Sequence, residues 1–376
     1  MIDIKDKALC CGWCSACAQS CPCQCIRMVV DKEGFFYPQV DEFSCINCGL
    51  CNKVCPFENP YDSVIPVSTI AYKHSNDVIR EHSSSGGAFS TLAEYVINQG
   101  GVVFGARFTK DWQVEISYAE TIDELDQFRG SKYVQANVGE SYIQCKKNLI
   151  KNRIVLYTGT PCQIAGLKHY LRKEYDNLLT AEVICHGVPS PVVWKSYLEY
   201  LVQDVSLISK INLRYKDKKG GYRYLVSGKN ITFYNDFASD SIYCKGFIEN
   251  YYLRPSCYNC RSKSCKSQAD FSMGDCWGIE SVNPLFSDGL GVSSICVNSS
   301  RGLLLSKLLF KNSINIPFDL IIRYNLCYSI SAREPLSRAY FWKQYSQIGI
   351  KAIEKTIDRD MKPVWRFVRK IRNAIF

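Results

Sequence analysis

Cys11-Gly-Trp-Cys14-Ser-Ala-Cys17-Ala-Gln-Ser-Cys21-Pro22 and Cys45-Ile-Asn-Cys48-Gly-Leu-Cys51-Asn-Lys-Val-Cys55-Pro56 carry the same spacing, C-x2-C-x2-C-x3-C-P. One copy is a fair sign of iron–sulfur chemistry, and two in register are a strong one. The physical reason is reach. Three closely spaced cysteines wrap a loop around one face of a four-iron cube, while the fourth, before the proline, projects away and ligates the partner cluster. On that rule Cys11, Cys14, Cys17 and Cys55 hold one [4Fe–4S] cluster, and Cys45, Cys48, Cys51 and Cys21 hold the other. Zinc also uses C-x2-C pairs, but it does not need eight cysteines in two copies of a cluster-specific spacing. Cys10, Cys23 and Cys25 are surplus to the pattern and read as bystanders in a reducing compartment.

Between the motifs, Ile26–Val30, Asp31-Lys-Glu-Gly34 and Phe35–Pro38 read as a β-hairpin around a glycine turn. Residues 8–57 thus resemble a bacterial-type ferredoxin with two [4Fe–4S] clusters. The whole chain has 376 residues, enough for two or three compact units, and 21 cysteines. That odd count, the charged start Met1-Ile-Asp-Ile-Lys-Asp-Lys7 and the lack of a signal-peptide pattern argue against a secreted disulfide scaffold. No apolar run approaches the roughly 18 residues of a membrane span, so the expected location is the cytoplasm. Residues 1–60 carry a net charge of −2, against +10 for the chain, so an acidic head sits on a basic body. A basic body suits an anionic cofactor, nucleic acid, a membrane surface or an acidic substrate, and charge alone does not choose among them.

From about residue 66 the pattern is mixed α and β. Residues 67–73, 101–108, 113–119, 153–157 and 178–185 read as strands, and 86–99, 138–151, 161–171 and 191–203 as helices. The alternation predicts βαβ units. Neither G-x-G-x-x-G nor G-x-x-x-x-G-K-[ST] occurs, which argues against a Rossmann site and a P-loop. Ser83-Ser-Ser-Gly-Gly87 and Gly159-Thr-Pro161 open helices and could offer free N–H groups to an anion, or be ordinary caps.

A second cysteine group, Cys257-Tyr-Asn-Cys260-Arg-Ser-Lys-Ser-Cys265, needs a fourth ligand from elsewhere. Cys162 is the attractive candidate, because a helix start favours a thiolate. Cys276 and Cys185 compete with it. Spacing leaves zinc and a third cluster equally open.

Taken together, the body segments resemble the coenzyme F420 hydrogenase/dehydrogenase beta-subunit family. The resemblance rests on residues 83–90, Arg129-Gly-Ser-Lys-Tyr-Val134, Thr158-Gly-Thr-Pro-Cys-Gln-Ile-Ala-Gly-Leu167, Ile184-Cys-His-Gly-Val-Pro-Ser-Pro191, residues 212–218, the 257–265 knot and Gly274-Asp-Cys-Trp-Gly278. It implies FAD in the body and a third [4Fe–4S] cluster held by Cys162, Cys257, Cys260 and Cys265. It places flavin contacts at Ser85, Gly86, Gly87, Gly130, Ser131, Lys132 and Tyr133, with Lys132 as the cation for a pyrophosphate. The expected architecture is an α+β or α/β multidomain chain. It has a two-cluster ferredoxin head (1–60), a mixed α/β flavin-binding body in two parts (66–151 and 152–300) and a helical tail (301–376).

The function implied is an oxidoreductase that passes electrons from reduced ferredoxin or another donor protein through the clusters and FAD to a small organic acceptor. Relatives of this architecture use coenzyme F420, reduce other conjugated compounds, or sit in surface-polysaccharide gene sets. An electron-relay subunit without its own substrate is the competing class; a nucleic-acid binder is disfavoured by the ferredoxin repeats. His186, at a predicted strand end, is the candidate proton donor, with a structural histidine as the alternative. The basic stretch Arg214–Arg223 could receive an acidic substrate tail or be a solvated hairpin. At the end of the chain, Lys362–Phe376 has five basic residues, no acid and an apolar helical face. It reads as a peripheral membrane contact or a terminal helix packed on the body.

Overall fold

The computed structural model describes Lys7, residues 14–216 and residues 221–361. Cys11 and the basic segment 362–376 lie outside the described residues. The head comprises α1 (Ala16–Ser20), β1 (Ile26–Val30), β2 (Phe36–Val40) and α2 (Leu50–Lys53). β1 and β2 pair antiparallel from Ile26↔Val40 to Val30↔Phe36. Their turn is shaped by Asp31, whose Oδ1 accepts from the N–H groups of Glu33 and Phe35 at 3.0 and 2.9 Å. Gly34 turns the chain at φ +84°, a conformation open to glycine at little cost.

The body continues with β3 (Ser68–Tyr72), α3 (Asp77–His82), α4 (Ala88–Asn98), β4 (Val102–Phe108), β5 (Val114–Ala119), α5 (Ser141–Ile150), β6 (Val155–Gly159), α6 (Pro161–Leu171), β7 (Leu178–Val183) and α7 (Pro191–Leu201). β8 (Lys210–Lys216), β9 (Tyr222–Ser227) and β10 (Thr232–Phe237) form a separate antiparallel sheet. After α8 (Ile242–Ile248) come β11 (Phe271–Asp275), β12 (Ser293–Val297), α9 (Ser300–Leu309), β13 (Ser313–Asn315), α10 (Phe318–Tyr324), α11 (Arg338–Ile348) and α12 (Ala352–Asp360).

The eight-stranded sheet runs β13-β3-β12-β11-β7-β6-β4-β5. β11, β7, β6 and β4 are consecutive parallel neighbours, and β12 lies antiparallel on the other side of β11. β3 pairs antiparallel with β12 and therefore points the same way as β11. Strands of both predicted parts of the body, and β13 from the predicted tail, share this one sheet. Central strands are covered on both faces, which is why Val155-Leu-Tyr-Thr158 and Leu178-Leu-Thr-Ala-Glu182 are buried without alternation. One core, with Tyr142, Tyr157, Leu167 and Trp194, fills one face; the other, with Leu92, Val96, Leu156 and Ile295, packs under α4 and α9.

Helix starts follow local chemistry. Thr160 and Gln163 form a capping box at α6 with Pro161 in the first turn, and Ser190 caps α7 ahead of Pro191. α6 therefore begins just past the end of β6, whereas α7 starts after the loop that follows β7. Among the described residues no helix is long and apolar enough to cross a membrane.

The head is fastened to the body at several points. Gln19 Oε1 accepts from the N–H groups of Tyr142 and Ile143 at 3.1 and 3.4 Å, capping α5 from outside. Glu33 is clasped by both terminal nitrogens of Arg338, and its carbonyl accepts from Ser190 Oγ at 2.6 Å. The fully buried Arg254 donates to the Phe36 carbonyl at 2.9 Å and stacks on Tyr37 at 4.3 Å.

Candidate metal centres and cofactor cleft

In the head, Cys21, Cys45, Cys48 and Cys51 line one cavity, together with the surplus Cys23 and Cys25. Cys25 is buried, and its Sγ lies 3.3 Å from that of Cys21. Cys48 is exposed, so this set faces outward. Cys14, Cys17 and Cys55, from the other predicted set, are buried. Cys14 joins the main core of the body, whereas Cys17 packs with Cys25 and Ile26.

The body thiols gather at the carboxyl ends of parallel strands. β6 and β7 pair with Gly159 opposite Glu182. Cys162 and Cys185 each lie three residues beyond that matched pair, so adjacent strands deliver both to one edge. Cys257 and Cys260 approach from the short helical turn Pro255–Asn259 and its end. Cys162 interacts electrostatically with Cys260 and Cys185, and Cys185 with Cys257 and Cys260. Burial, then these neighbours, pushes the thiols of Cys162, Cys185 and Cys257 up to about 12. Such thiols stay protonated until a cation takes the proton's place. The Val188 N–H points at Cys257 Sγ at 3.4 Å, a donor of the kind that tunes a ligating sulfur.

Cys265 is placed elsewhere. Its Sγ points at the Ala269 carbonyl at 3.6 Å, and its neighbours are Glu182, Ser267, Ser272 and Cys296. The geometry thus brings three of the four expected body cysteines together and sets Cys185 beside them. The cause is local. Ser264 and Cys265 both take left-handed backbone conformations, φ +55° and +54°, which turn the chain away after Cys260. A sequence signal for Cys185 existed: a cysteine follows within three residues of the end of both β6 and β7. Four thiolates on one zinc would sit about 3.8 Å apart, given a zinc–sulfur bond near 2.3 Å. Among the described residues no three His, Cys, Asp or Glu side chains converge closely enough to hold one ion.

The glycine-rich turns meet beyond the same sheet edge. Ser84 Oγ and Ser131 Oγ are 2.9 Å apart. α4 starts at Gly87, φ +91°, with no side-chain cap, leaving first-turn N–H groups for an anion. Gly130, φ +78°, has only Asn212 Oδ1 near the place of a β-carbon, at 3.9 Å, so its face is open to close approach. Gly86 has a different reason to be glycine: a β-carbon there would lie 2.3 Å from the Tyr72 carbonyl oxygen and 2.5 Å from the Ser293 nitrogen. Ser85 Oγ donates to the Val292 carbonyl at 2.8 Å.

Lys132 turns inward. Its ammonium donates to the carbonyls of Gln127 and Arg129 at 2.8 and 2.9 Å, and burial lowers its pKa to about 7. Arg214 and Lys216, from the basic stretch, are also used internally. Arg214 donates to both Asp275 oxygens at 2.8 and 2.9 Å, to the Ser84 carbonyl at 3.0 Å and to Tyr133 Oη at 3.2 Å, and lies over the Tyr222 ring at 3.7 Å. Lys216 reaches the carbonyls of Ser85 and Leu290 at 2.7 and 2.6 Å. These two cations staple β8 onto the Ser83–Gly87 turn and the end of β11. Tyr133 therefore faces a built wall, of which Arg214 and Asp275 were not expected members.

His186 has both ring nitrogens engaged. Nε2 lies 2.6 Å from Asn250 Oδ1 and Nδ1 lies 3.4 Å from Cys327 Sγ. The ring packs edge-on against Phe247 at 5.1 Å. Burial lowers its pKa, against the pull of Asn250, so the neutral ring is favoured. Its Nε2–H donates to Asn250 Oδ1.

Sequence comparisons identify the family. A profile described as coenzyme F420 hydrogenase/dehydrogenase, beta subunit N-term, matches residues 70–141, and its C-terminus counterpart matches residues 152–314. The chain belongs to the coenzyme F420 hydrogenase/dehydrogenase beta-subunit family. To the family body is joined a 4Fe-4S binding domain, matched over residues 38–61. Ferredoxins of Mycolicibacterium smegmatis and Saccharopolyspora erythraea are each 35% identical over 89 residues, which is 23% of this chain and 72% of either ferredoxin. Among solved structures, a chain of the F420-reducing [NiFe] hydrogenase complex from Methanosarcina barkeri superposes with a TM-score of 0.46 at 16% identity. That match covers 80% of this chain and 93% of the other. This member of the family is an iron–sulfur protein of the oxidoreductase, electron-transfer type.

Proposed function

We propose that the chain is an iron–sulfur flavoprotein oxidoreductase. It takes electrons singly from a reduced ferredoxin-type donor and delivers them in pairs to a small organic acceptor. The observation that supports this reading is the gathering of Cys162, Cys185, Cys257 and Cys260 at the carboxyl ends of β6 and β7, beside a docked cysteine-rich head. That edge is where open α/β sheets place their ligands.

Cys11, Cys14, Cys17 and Cys55 would hold the inward head cluster, and Cys21, Cys45, Cys48 and Cys51 the outward one. Cys162, Cys185, Cys257 and Cys260 would hold the third. A flavin would place its pyrophosphate on the uncapped start of α4, between Ser84 and the open face of Gly130 and Ser131. When bound, the clusters supply one-electron steps and the flavin converts them to two-electron chemistry. The chain's own residues shape and dry the site. Arg214 ties Asp275, Ser84 and Tyr133 into one wall, and Lys216 locks the turn that precedes α4. His186 orients Asn250 and leaves proton delivery to another group.

The test is elemental analysis of anaerobically purified protein. About 12 iron per chain and one FAD are expected, from three four-iron clusters. Cys185→Ser should fall to about 8 iron, whereas Cys265→Ser should keep about 12. The opposite pattern would return Cys265 to the ligand set, and about 8 iron with one zinc and no flavin would sink the oxidoreductase reading. The family description names coenzyme F420, which makes that deazaflavin the second acceptor to assay, by loss of its fluorescence on reduction.

A further inference from the structure

Gly166 occupies the middle of α6, a helix that begins at Pro161 and carries Cys162 in its first turn. Glycine weakens a helix interior, and Gly166 does not have a positive φ, so its backbone does not call for it. Its neighbours do. A β-carbon on Gly166 would lie 2.2 Å from Cys14 Cβ, 2.9 Å from Cys14 Sγ and 2.8 Å from Tyr142 Oη. The head thiol therefore occupies the space that any other residue would fill. Tyr142 is fully buried, donates its hydroxyl to the Gln163 carbonyl at 2.7 Å, and interacts electrostatically with both Cys14 and Cys162. Cys162 stands one helical turn before Gly166, a rise of about 6 Å. Next to this contact Gln19 pins α1 to the start of α5. The outward thiols sit differently: Cys48 is exposed, and Phe43 and Ile46 beside it face solvent.

We infer that Gly166 is the positioning residue of the junction where electrons leave the head. It lets the inward head site lie against the helix that carries the body site, while the outward site receives electrons from outside. This rests on the reading that both cysteine sets hold iron–sulfur clusters. The step balances simply. With both clusters bound, one electron would pass from the one held in part by Cys14, which would be oxidised, to the one held in part by Cys162, which would be reduced. No bond forms or breaks and no proton moves. The electron is replaced from a low-potential one-electron donor protein through the Cys45–Cys51 side.

The test uses the full-length, cluster-loaded chain and reads electron paramagnetic resonance of the chemically reduced protein. Gly166→Ala is compared with wild type and with Gly246→Ala, another tightly packed helical glycine whose neighbours are Tyr252 and Ile353. Gly166→Ala should keep its iron yet lose the spin–spin splitting between head and body signals, and its body site should fill more slowly after the head on rapid mixing. Gly246→Ala should retain both. Cys48→Ala, a change at an exposed position, removes the outward cluster without disturbing the core. Its body signal should stay split by the inward cluster. Unchanged splitting and filling in Gly166→Ala, or loss of the body splitting in Cys48→Ala, overturns the junction. Loss of iron from Gly166→Ala leaves the Cys48→Ala result to decide. A wild-type body site without iron would overturn the cluster reading itself, and iron content alone reveals that.

Discussion

Glu182 is a carboxylate in the middle of a sheet, 3% exposed on β7, and its removal should make the protein less sensitive to pH. Its oxygens accept from Ser272 Oγ at 2.7 Å and from Ser267 Oγ. Burial dominates and raises its pKa to about 7, with the two serines and Lys263 pulling the other way. An unfolded glutamate titrates near 4.3. The folded form therefore holds a proton that the unfolded form has lost between about pH 4 and 7, and over that window stability falls as pH rises. Below it both states are protonated and the penalty vanishes; above it the penalty is complete. At about 1.36 kcal/mol for each unit, the penalty amounts to about 4 kcal/mol. Glu182→Gln removes it and keeps both serine contacts, since a serine hydroxyl can donate or accept. The substitution should raise urea-unfolding stability by about 2 kcal/mol at pH 8 after the loss of a charged hydrogen bond, and by almost nothing at pH 4. Parallel pH profiles for wild type and variant would show that Glu182 is not the group responsible.

Two further outcomes follow from the way the parts are fastened. Arg338→Ala leaves the buried Glu33 carboxylate without its clasp, and should cost about 3 kcal/mol in thermal or urea unfolding; the double change Glu33→Gln with Arg338→Met should recover most of that. Arg214→Lys keeps the charge but cannot span Asp275, Ser84 and Tyr133 at once, so flavin retained on gel filtration should drop while iron content holds.

Much of this architecture is legible in the residues, because the relevant signals are local. Cysteine spacing fixes the outward head set, and Asp31 and Gly34 announce the hairpin. The apolar runs 153–157 and 178–185, each followed by a proline-led helix, announce the parallel centre of the sheet. What the sequence does not yield is convergence across the chain. Cys265 belongs to the 257–265 knot by spacing, yet two left-handed residues carry it to Glu182, while Cys185 arrives through the register of β6 and β7. The basic stretch around Arg214 looks like a surface charge until three strands fold its side chains under the sheet edge. Lys132 looks like a ligand for phosphate, and only the three-dimensional path of its own loop supplies carbonyls for its ammonium. His186 reads equally as a proton donor or a structural histidine, because its partners Asn250 and Cys327 are distant in sequence.

The clasp between Glu33 and Arg338 joins residues 305 positions apart. On a ribosome adding about 5–20 residues each second, Arg338 emerges about 15–60 s after Glu33. Throughout that interval the cysteine-rich head is outside the ribosome with the Arg338 clasp on Glu33 still open. Assembly machinery therefore has a timed opening in which to insert iron and sulfide, and the closing of the C-terminal helices ends it. Codon changes that hasten synthesis of the last hundred residues should shorten that opening and lower the iron occupancy of the inward head site, leaving the exposed outward site less affected.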